Sequence, residues 1–313
     1  MSTALLFEHR AVAEVDWAER VPKLGRSSVL WVDLEQPEAQ ELDQLADALG
    51  LDRQALDRRD KPEFVDFEDH VQITVSAPND SRKLASVTCL VSKRWVVTIH
   101  DDPIEMLETF RERATGSGST GELEGLEFLA NLLEWVFGSY FDAFEEIEAT
   151  LEEIDAQAMS GDLESRDDVL EQLVAARREI GSLRRALTSH REAILALTRP
   201  ELEAIASSSS AERFCELRGR LDEAVQAARD SRESVVGAFD VVIACTGQRT
   251  NEIMKILTLA SVLILPGTLI AGVMGMNFRL GVFDTTAYFW VVIAAMLALA
   301  AVTLAAARMR DWI

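Results

Sequence analysis

Between Asn251 and Gly272 one helical face carries residues of a narrow chemical kind. At about 100° per residue, Asn251, Met254, Leu257, Thr258, Ser261, Leu265, Thr268 and Gly272 fall within a sector roughly 120° wide. The opposite face is dominated by Ile, Leu and Val, and no charged residue occurs from Ile256 to Met274. At 1.5 Å per residue that run covers about 30 Å, the thickness of a bilayer core. Two kinds of chemistry fit such a face. Small and hydroxyl residues let membrane helices approach closely, which is their commonest use. The same residues, repeated around an axis by several copies, make the polar and apolar rings of a pore. Periodicity alone leaves both open.

Such a helix needs neighbours. A second apolar span runs from Tyr288 to Ala307, with Tyr288 and Trp290 at its interface end and Arg308 and Arg310 just beyond it. Arg249 and Lys255 flank the inner end of the first span, while the loop Arg279 to Thr286 offers a single Arg. The positive-inside rule therefore places both termini in the cytoplasm. The first ten residues carry acid and base too early for a signal peptide. No proline separates Ala211 from Pro266, and Phe214, Leu217, Leu221, Val225, Ala228, Val235, Ala238, Val242 and Cys245 recur near the heptad period. One helix should therefore run from cytosol to membrane, ending near Gly275. Two spans per chain cannot enclose a pore, so a pore demands a cyclic oligomer.

Upstream, residues 1 to about 114 read as mixed α/β. Ser28–Leu34 and Val71–Val75 have strand patterns, Pro37–Leu49 a helical one, and Val87–Val91 with Trp95–Ile99 a hairpin around Ser92-Lys93-Arg94. Thr115–Gly121 reads as a linker. Apolar steps of three and four from Leu126 to Ile154, and again from about Ser165 to Thr198, define two long helices separated by Ser160-Gly161. A short turn makes them antiparallel. The first is acidic on its outer face: Glu127, Glu134, Asp142, Glu145, Glu148, Glu152 and Asp155. The expected organisation is a cytosolic α/β domain (1–121), an acidic helical hairpin (122–200), a stalk helix (201–255), a first transmembrane helix (256–275), an external loop (276–286) and a second transmembrane helix with a basic tail (287–313).

The formal net charge of −22 argues against nucleic acid as a partner and suits attraction of cations. Cys89, Cys215 and Cys245 are too far apart for a disulfide framework or a zinc site. His9, His70, His100 and His190 have no ligand spacing, and no phosphate-binding loop or nucleophile elbow occurs, so neither an enzyme nor an ATP-driven pump is expected.

Asn251-Glu-Ile-Met-Lys-Ile-Leu-Thr258, Pro266 within the span and Gly275-Met276-Asn277-Phe278 at its end together resemble the CorA family of divalent-cation channels, the two-transmembrane Gly-Met-Asn type. Shorter words point the same way: Trp31-Val-Asp-Leu34 with Pro37, Lys61 to His70, Trp95 to His100, and the basic run from Arg177. The resemblance implies a homopentameric funnel: a sheet flanked by helices, a long stalk helix and two transmembrane helices, set among the lipid of the inner membrane. It implies Gly275, Met276 and Asn277 as the selectivity filter. Mg²⁺ dehydrates reluctantly, so a ring of Asn277 amides and Gly275 carbonyls could hold the hydrated ion by accepting hydrogen bonds from its waters. On the same reading Leu257 and Leu265 form apolar constrictions, and Thr268 and Asn251 polar rings. Regulatory divalent ions in the family lie between neighbouring cytosolic domains; counting back from Asn251 places Glu216 at one such carboxylate, with Asp80 as its partner. One feature departs from the family. The loop Arg279-Leu-Gly-Val-Phe-Asp284 replaces the usual Met-Pro-Glu-Leu, leaving Asp284 to stand in for the acid. The ZntB-like zinc transporters also vary this loop, so Zn²⁺ carriage, with or without proton coupling, is the alternative, while Met276 favours Mg²⁺ or Co²⁺, with Ni²⁺ as a further ion of the channel reading. Outside transport, the alternative is a membrane-tethered sensor or scaffold with a non-conducting pore.

Overall fold

The computed structural model describes residues 2–8, 11–25, 28–56, 61–67, 69–79, 83–116, 124–160, 166–199, 210–276 and 286–309. The chain forms two compact units, Met1–Gln157 with Asp162–Phe239, and Ala158–Gly161 with Asp240–Ile313.

In the first unit, seven strands form one sheet: β1 (Ser2–Glu8), β2 (Ala11–Glu14), β3 (Ser28–Glu35), β4 (Glu63–Asp66), β5 (Val71–Pro78), β6 (Leu84–Val91) and β7 (Trp95–His100). Their order is β2-β1-β3-β7-β6-β5-β4. β3 and β7 are parallel, with Val32 opposite Val97, and the other neighbours are antiparallel. After the short α1 (Trp17–Arg20), α2 (Ala39–Leu49) covers one face, burying Leu42 and Leu45 among Leu30, Val32, Leu34 and Val97. α3 (Glu105–Gly116) and the start of α4 (Gly125–Ser160) cover the other. There Trp31, Phe110 and Phe128 form a ring cluster with centroids 5.2–5.5 Å apart. β1, β2 and β4 were not foreseen. β1 buries Ala4 to Phe7 on both faces, so its sequence lacks alternation, and β2 and β4 are four-residue edge strands.

α4 is followed by a second long helix, α5 (Arg166–Leu197), and each foreseen apolar position of α4 from Leu129 to Ile154 is buried. Gly125 begins α4 hard against the β6–β7 turn: a Cβ there would lie 1.9 Å from the Ser92 carbonyl oxygen, so only glycine fits. Deeper in, the wholly buried His190 of α5 meets both α4 and the sheet. Its Nε2 accepts the Ser76 N–H at 2.8 Å, while the Tyr140 hydroxyl donates to the Ser76 carbonyl at 2.7 Å. Phe137 and Tyr140 stand edge-on to the imidazole. Burial lowers the His190 pKa to about 4, the Ala186 carbonyl opposing this more weakly.

α6 (Ala211–Gly275) is unbroken through 65 residues, Pro266 included. It and α7 (Thr286–Met309) are both long and apolar enough to cross a membrane.

Candidate functional site

Within the second unit α6 has two distinct sides. Leu259, Leu263, Pro266, Gly267, Ile270 and Met274 are half-buried, at steps of three and four residues. α7 carries a matching stripe: Val292, Ile293, Met296, Ala300, Thr303 and the buried Ala307. The two spans approach closely at Gly267, where a Cβ would come 3.2 Å from the Met296 methyl carbon. Glycine at that point is the small-residue device for helix packing.

The face singled out by its chemistry is the other one. Asn251, Met254, Leu257, Thr258, Ser261, Leu265, Thr268 and Gly272 are all exposed, Leu257 by 59% and Leu265 by 67%. On a helical wheel this face is centred about 170° from the stripe that packs on α7. Helix packing within the chain therefore uses a different set of residues from the candidate pore wall. A groove of about 720 Å³ runs along the exposed side. Its walls are two rows at steps of four, Leu257-Ser261-Leu265-Leu269-Val273 and Ala260-Ile264-Thr268-Gly272-Met276. It is the channel between two adjacent side-chain ridges, the shape that receives a neighbouring helix or faces an axis. Sequence reasoning missed Ala260, Ile264, Leu269 and Val273, because a fixed sector does not follow rows that advance by about 40° at each step of four.

The hydroxyls on this side are committed in one direction. Thr258 donates to the Met254 carbonyl (2.7 Å), Ser261 to the Leu257 carbonyl (2.8 Å) and Thr268 to the Ile264 carbonyl (2.9 Å). With their protons used inside the helix, they offer only lone pairs outward. Lone pairs accept hydrogen bonds from the water shell of a cation. At the end of the helix the Met276 N–H reaches the Val273 carbonyl at 3.2 Å, and both Gly275 and Met276 are exposed. Asn277 and the loop with Asp284 lie outside the described residues.

Of the two regulatory candidates, Asp80 lies outside the described residues. Glu216 is exposed on α6 beside a cleft of about 100 Å³ lined by Ala130, Glu134, Arg213, Leu217 and Arg220. Two guanidiniums flank it on its own helix. Among the described residues no group of three or more His, Cys, Asp or Glu side chains has metal-binding geometry.

A two-span chain with such a wall and an α/β domain ahead of it matches a known family over residues 26–307, the one described as CorA-like Mg²⁺ transporter protein. The chain belongs to that family. Over 306 residues it is 25% identical to the cobalt/magnesium transport protein CorA of Methanocaldococcus jannaschii, covering 93% of this chain and 95% of that one. The fold is that of the complete CorA magnesium transporter structure from the same organism, with TM-score 0.79 at 22% identity over 100% of this chain and 99% of that one. The cytoplasmic domain of ZntB from Vibrio parahaemolyticus shares the fold at TM-score 0.62 and 15% identity, over 79% of this chain and 98% of that one. The CorA-like proteins named here are transport proteins, and the membership gives the two apolar helices their role as membrane spans.

Proposed function

We propose that this chain carries Mg²⁺ across a membrane, with Co²⁺ and Ni²⁺ as further substrates, through a pore formed by a ring of five copies. The observation that carries the reading is the exposed face of α6, whose Thr258, Ser261 and Thr268 hydroxyls turn only lone pairs outward, lying opposite the side that packs on α7. A second copy of the chain is the partner that gives this face a purpose. Gly275, Met276 and Asn277 form the entry ring, Leu257 and Leu265 the narrow apolar steps, and Asn251 and Thr268 the polar ones. Both termini lie in the cytoplasm of a cell whose inner membrane holds the spans. Divalent ions bound between the acidic cytosolic domains, with Glu216 and Asp80 as ligands, restrain opening from inside. The Arg-bearing loop in place of the family's acidic one makes Zn²⁺ the second ion to test.

The test is flux into proteoliposomes with Mg²⁺, Co²⁺, Ni²⁺ and Zn²⁺, with and without a pH gradient, for wild type and Asn277→Ala. The expected result is Mg²⁺ uptake that ignores the gradient and is abolished in the variant. Uptake of Zn²⁺ alone, rising with the gradient, would transfer the chain to the zinc reading. Undiminished Mg²⁺ flux in a correctly assembled Asn277→Ala would remove the filter assignment.

A further inference from the structure

The N-terminal part of α6 is fastened to α4 by a polar seam. Arg213 Nη2 donates to Asn131 Oδ1 at 2.5 Å. The same guanidinium stands 3.7 Å from Glu127 Oε1 and 3.7 Å from Glu134 Oε2. Further along, the Arg220 guanidinium lies 4.6 Å from the centre of the Phe141 ring, and the Ser231 hydroxyl reaches Glu148 Oε1 at 3.2 Å. Along α4 the partners run Glu127, Glu134, Phe141 and Glu148, and along α6 Arg213, Arg220 and Ser231, both in rising order, so the two helices run parallel over this stretch.

α4 itself is fixed to the sheet. Phe128 sits in the aromatic cluster, Tyr140 bonds to β5, and the Gly125 N–H bonds to the Lys93 carbonyl at 3.1 Å. α6 is held to its neighbours by apolar contact at the buried Phe214, Leu217 and Leu221 and by scattered polar bonds, among them Asp222 with Arg191 of α5 at 2.7 Å. Apolar contact tolerates sliding; a guanidinium held by two carboxylates and an amide does not. Arg213, which meets three groups of α4 at once, is the most connected point of the seam between α4 and α6. The same helix continues without a break to Leu257. Leu257 is 44 residues further along the same helix.

We infer that Arg213 is a positioning residue for gating: by clamping α6 to the α4 stripe Glu127, Asn131 and Glu134, it holds the pore-lining helix in the register that the cytosolic domain controls. This rests on the proposed reading of a channel restrained by internal divalent ions. With the clamp removed, the domain still folds and the pore still conducts, but the domain's state no longer reaches the pore with full force.

The experiment uses the full chain in proteoliposomes, with flux measured against the concentration of Mg²⁺ on the cytoplasmic side. Hydrogen exchange of residues 211–220 is followed on the same samples. Arg213→Ala is expected to speed that exchange and to raise the half-inhibiting Mg²⁺ concentration about fivefold or more, with the apparent affinity for transported Mg²⁺ unchanged. The swapped pair Arg213→Glu with Glu134→Arg is expected to recover both. A merely structural role would change exchange and leave the half-inhibiting concentration where it was, and that result overturns the inference. So does unchanged exchange in Arg213→Ala, and so does a wild-type chain that conducts but is never inhibited from inside. A wild-type chain that conducts no divalent ion overturns the channel reading itself, and is told apart by the absence of flux in every variant.

Discussion

Acidification should loosen the α/β unit through one residue, His190. Its Nε2 accepts a hydrogen bond from the Ser76 N–H, which requires a neutral ring. Protonation would turn that acceptor into a second donor facing a donor, inside an apolar pocket formed with Phe137 and Tyr140. Burial accordingly lowers its pKa from 6.5 to about 4. The unfolded chain binds the proton more readily than the folded one, so the stability due to this group is present above pH 6.5 and is lost as pH falls toward 4. At about 1.36 kcal/mol per pH unit, the loss is roughly 1 kcal/mol at about pH 5.5 and roughly 3 kcal/mol near pH 4. Burial and the nearby Asp33 act on His100 with the net result of a raised pKa, so its contribution runs the opposite way, fading as pH rises. The two are separated by comparing wild type with His190→Gln in urea unfolding between pH 7.5 and 4.5, followed by tryptophan fluorescence. Exchange of the Ser76 amide reports the local bond. The variant should be less stable at neutral pH and should lack the extra acid-dependent loss. Parallel stability curves for the two proteins, or a Ser76 amide no faster at pH 5 than at pH 7, would refute the reasoning.

Leu257→Ala and Leu265→Ala should each raise leak flux several-fold, because a shorter side chain widens an apolar constriction and lowers its barrier to wetting; reduced conduction in both would return these leucines to ordinary packing. Gly267→Leu should impair assembly by driving a branched side chain into Met296, whereas Gly267→Ala should be nearly neutral because the obstructing atom is the end of a flexible chain; gel filtration in detergent reads both. Gly272→Leu, on the exposed side with nothing near its Cβ, should leave the helix pair intact and cut flux, so normal flux would place that face away from the ion path. Gly125→Ala should cost about 2 kcal/mol or more of domain stability, since the Ser92 carbonyl it meets is backbone and cannot swing aside; an unchanged melting temperature would contradict that.

The long helices were legible because their apolar steps have a single explanation. Leu173, Ile180, Leu183, Leu187, Ile194 and Leu197 of α5 are all buried at the positions their spacing indicates. The spans were legible from the absence of charge. β1 was not, because a strand covered on both faces has no alternation to read, and β2 and β4 are too short to show one. In the candidate site, the composition of the α6 face was evident, but not which side meets α7. Small residues occur on both sides, and only the approach of Gly267 to Met296 separates packing glycine from exposed Gly272. The surroundings of Glu216 were half legible. Arg213 and Arg220 lie three before and four after it on the same helix, whereas Glu134 arrives from another element.

The wall described for α6 is silent to acid and base. From Ile256 to Met274 nothing ionises, and the hydroxyls of Thr258, Ser261 and Thr268 have already given their protons to the helix. A proton travelling beside the metal would find no carrier along about 30 Å of this surface. Throughput of the bare conduit should therefore hold constant from weakly acid to weakly alkaline conditions. Any titration seen in transport belongs elsewhere, in the acidic first unit or the Asp-bearing loop.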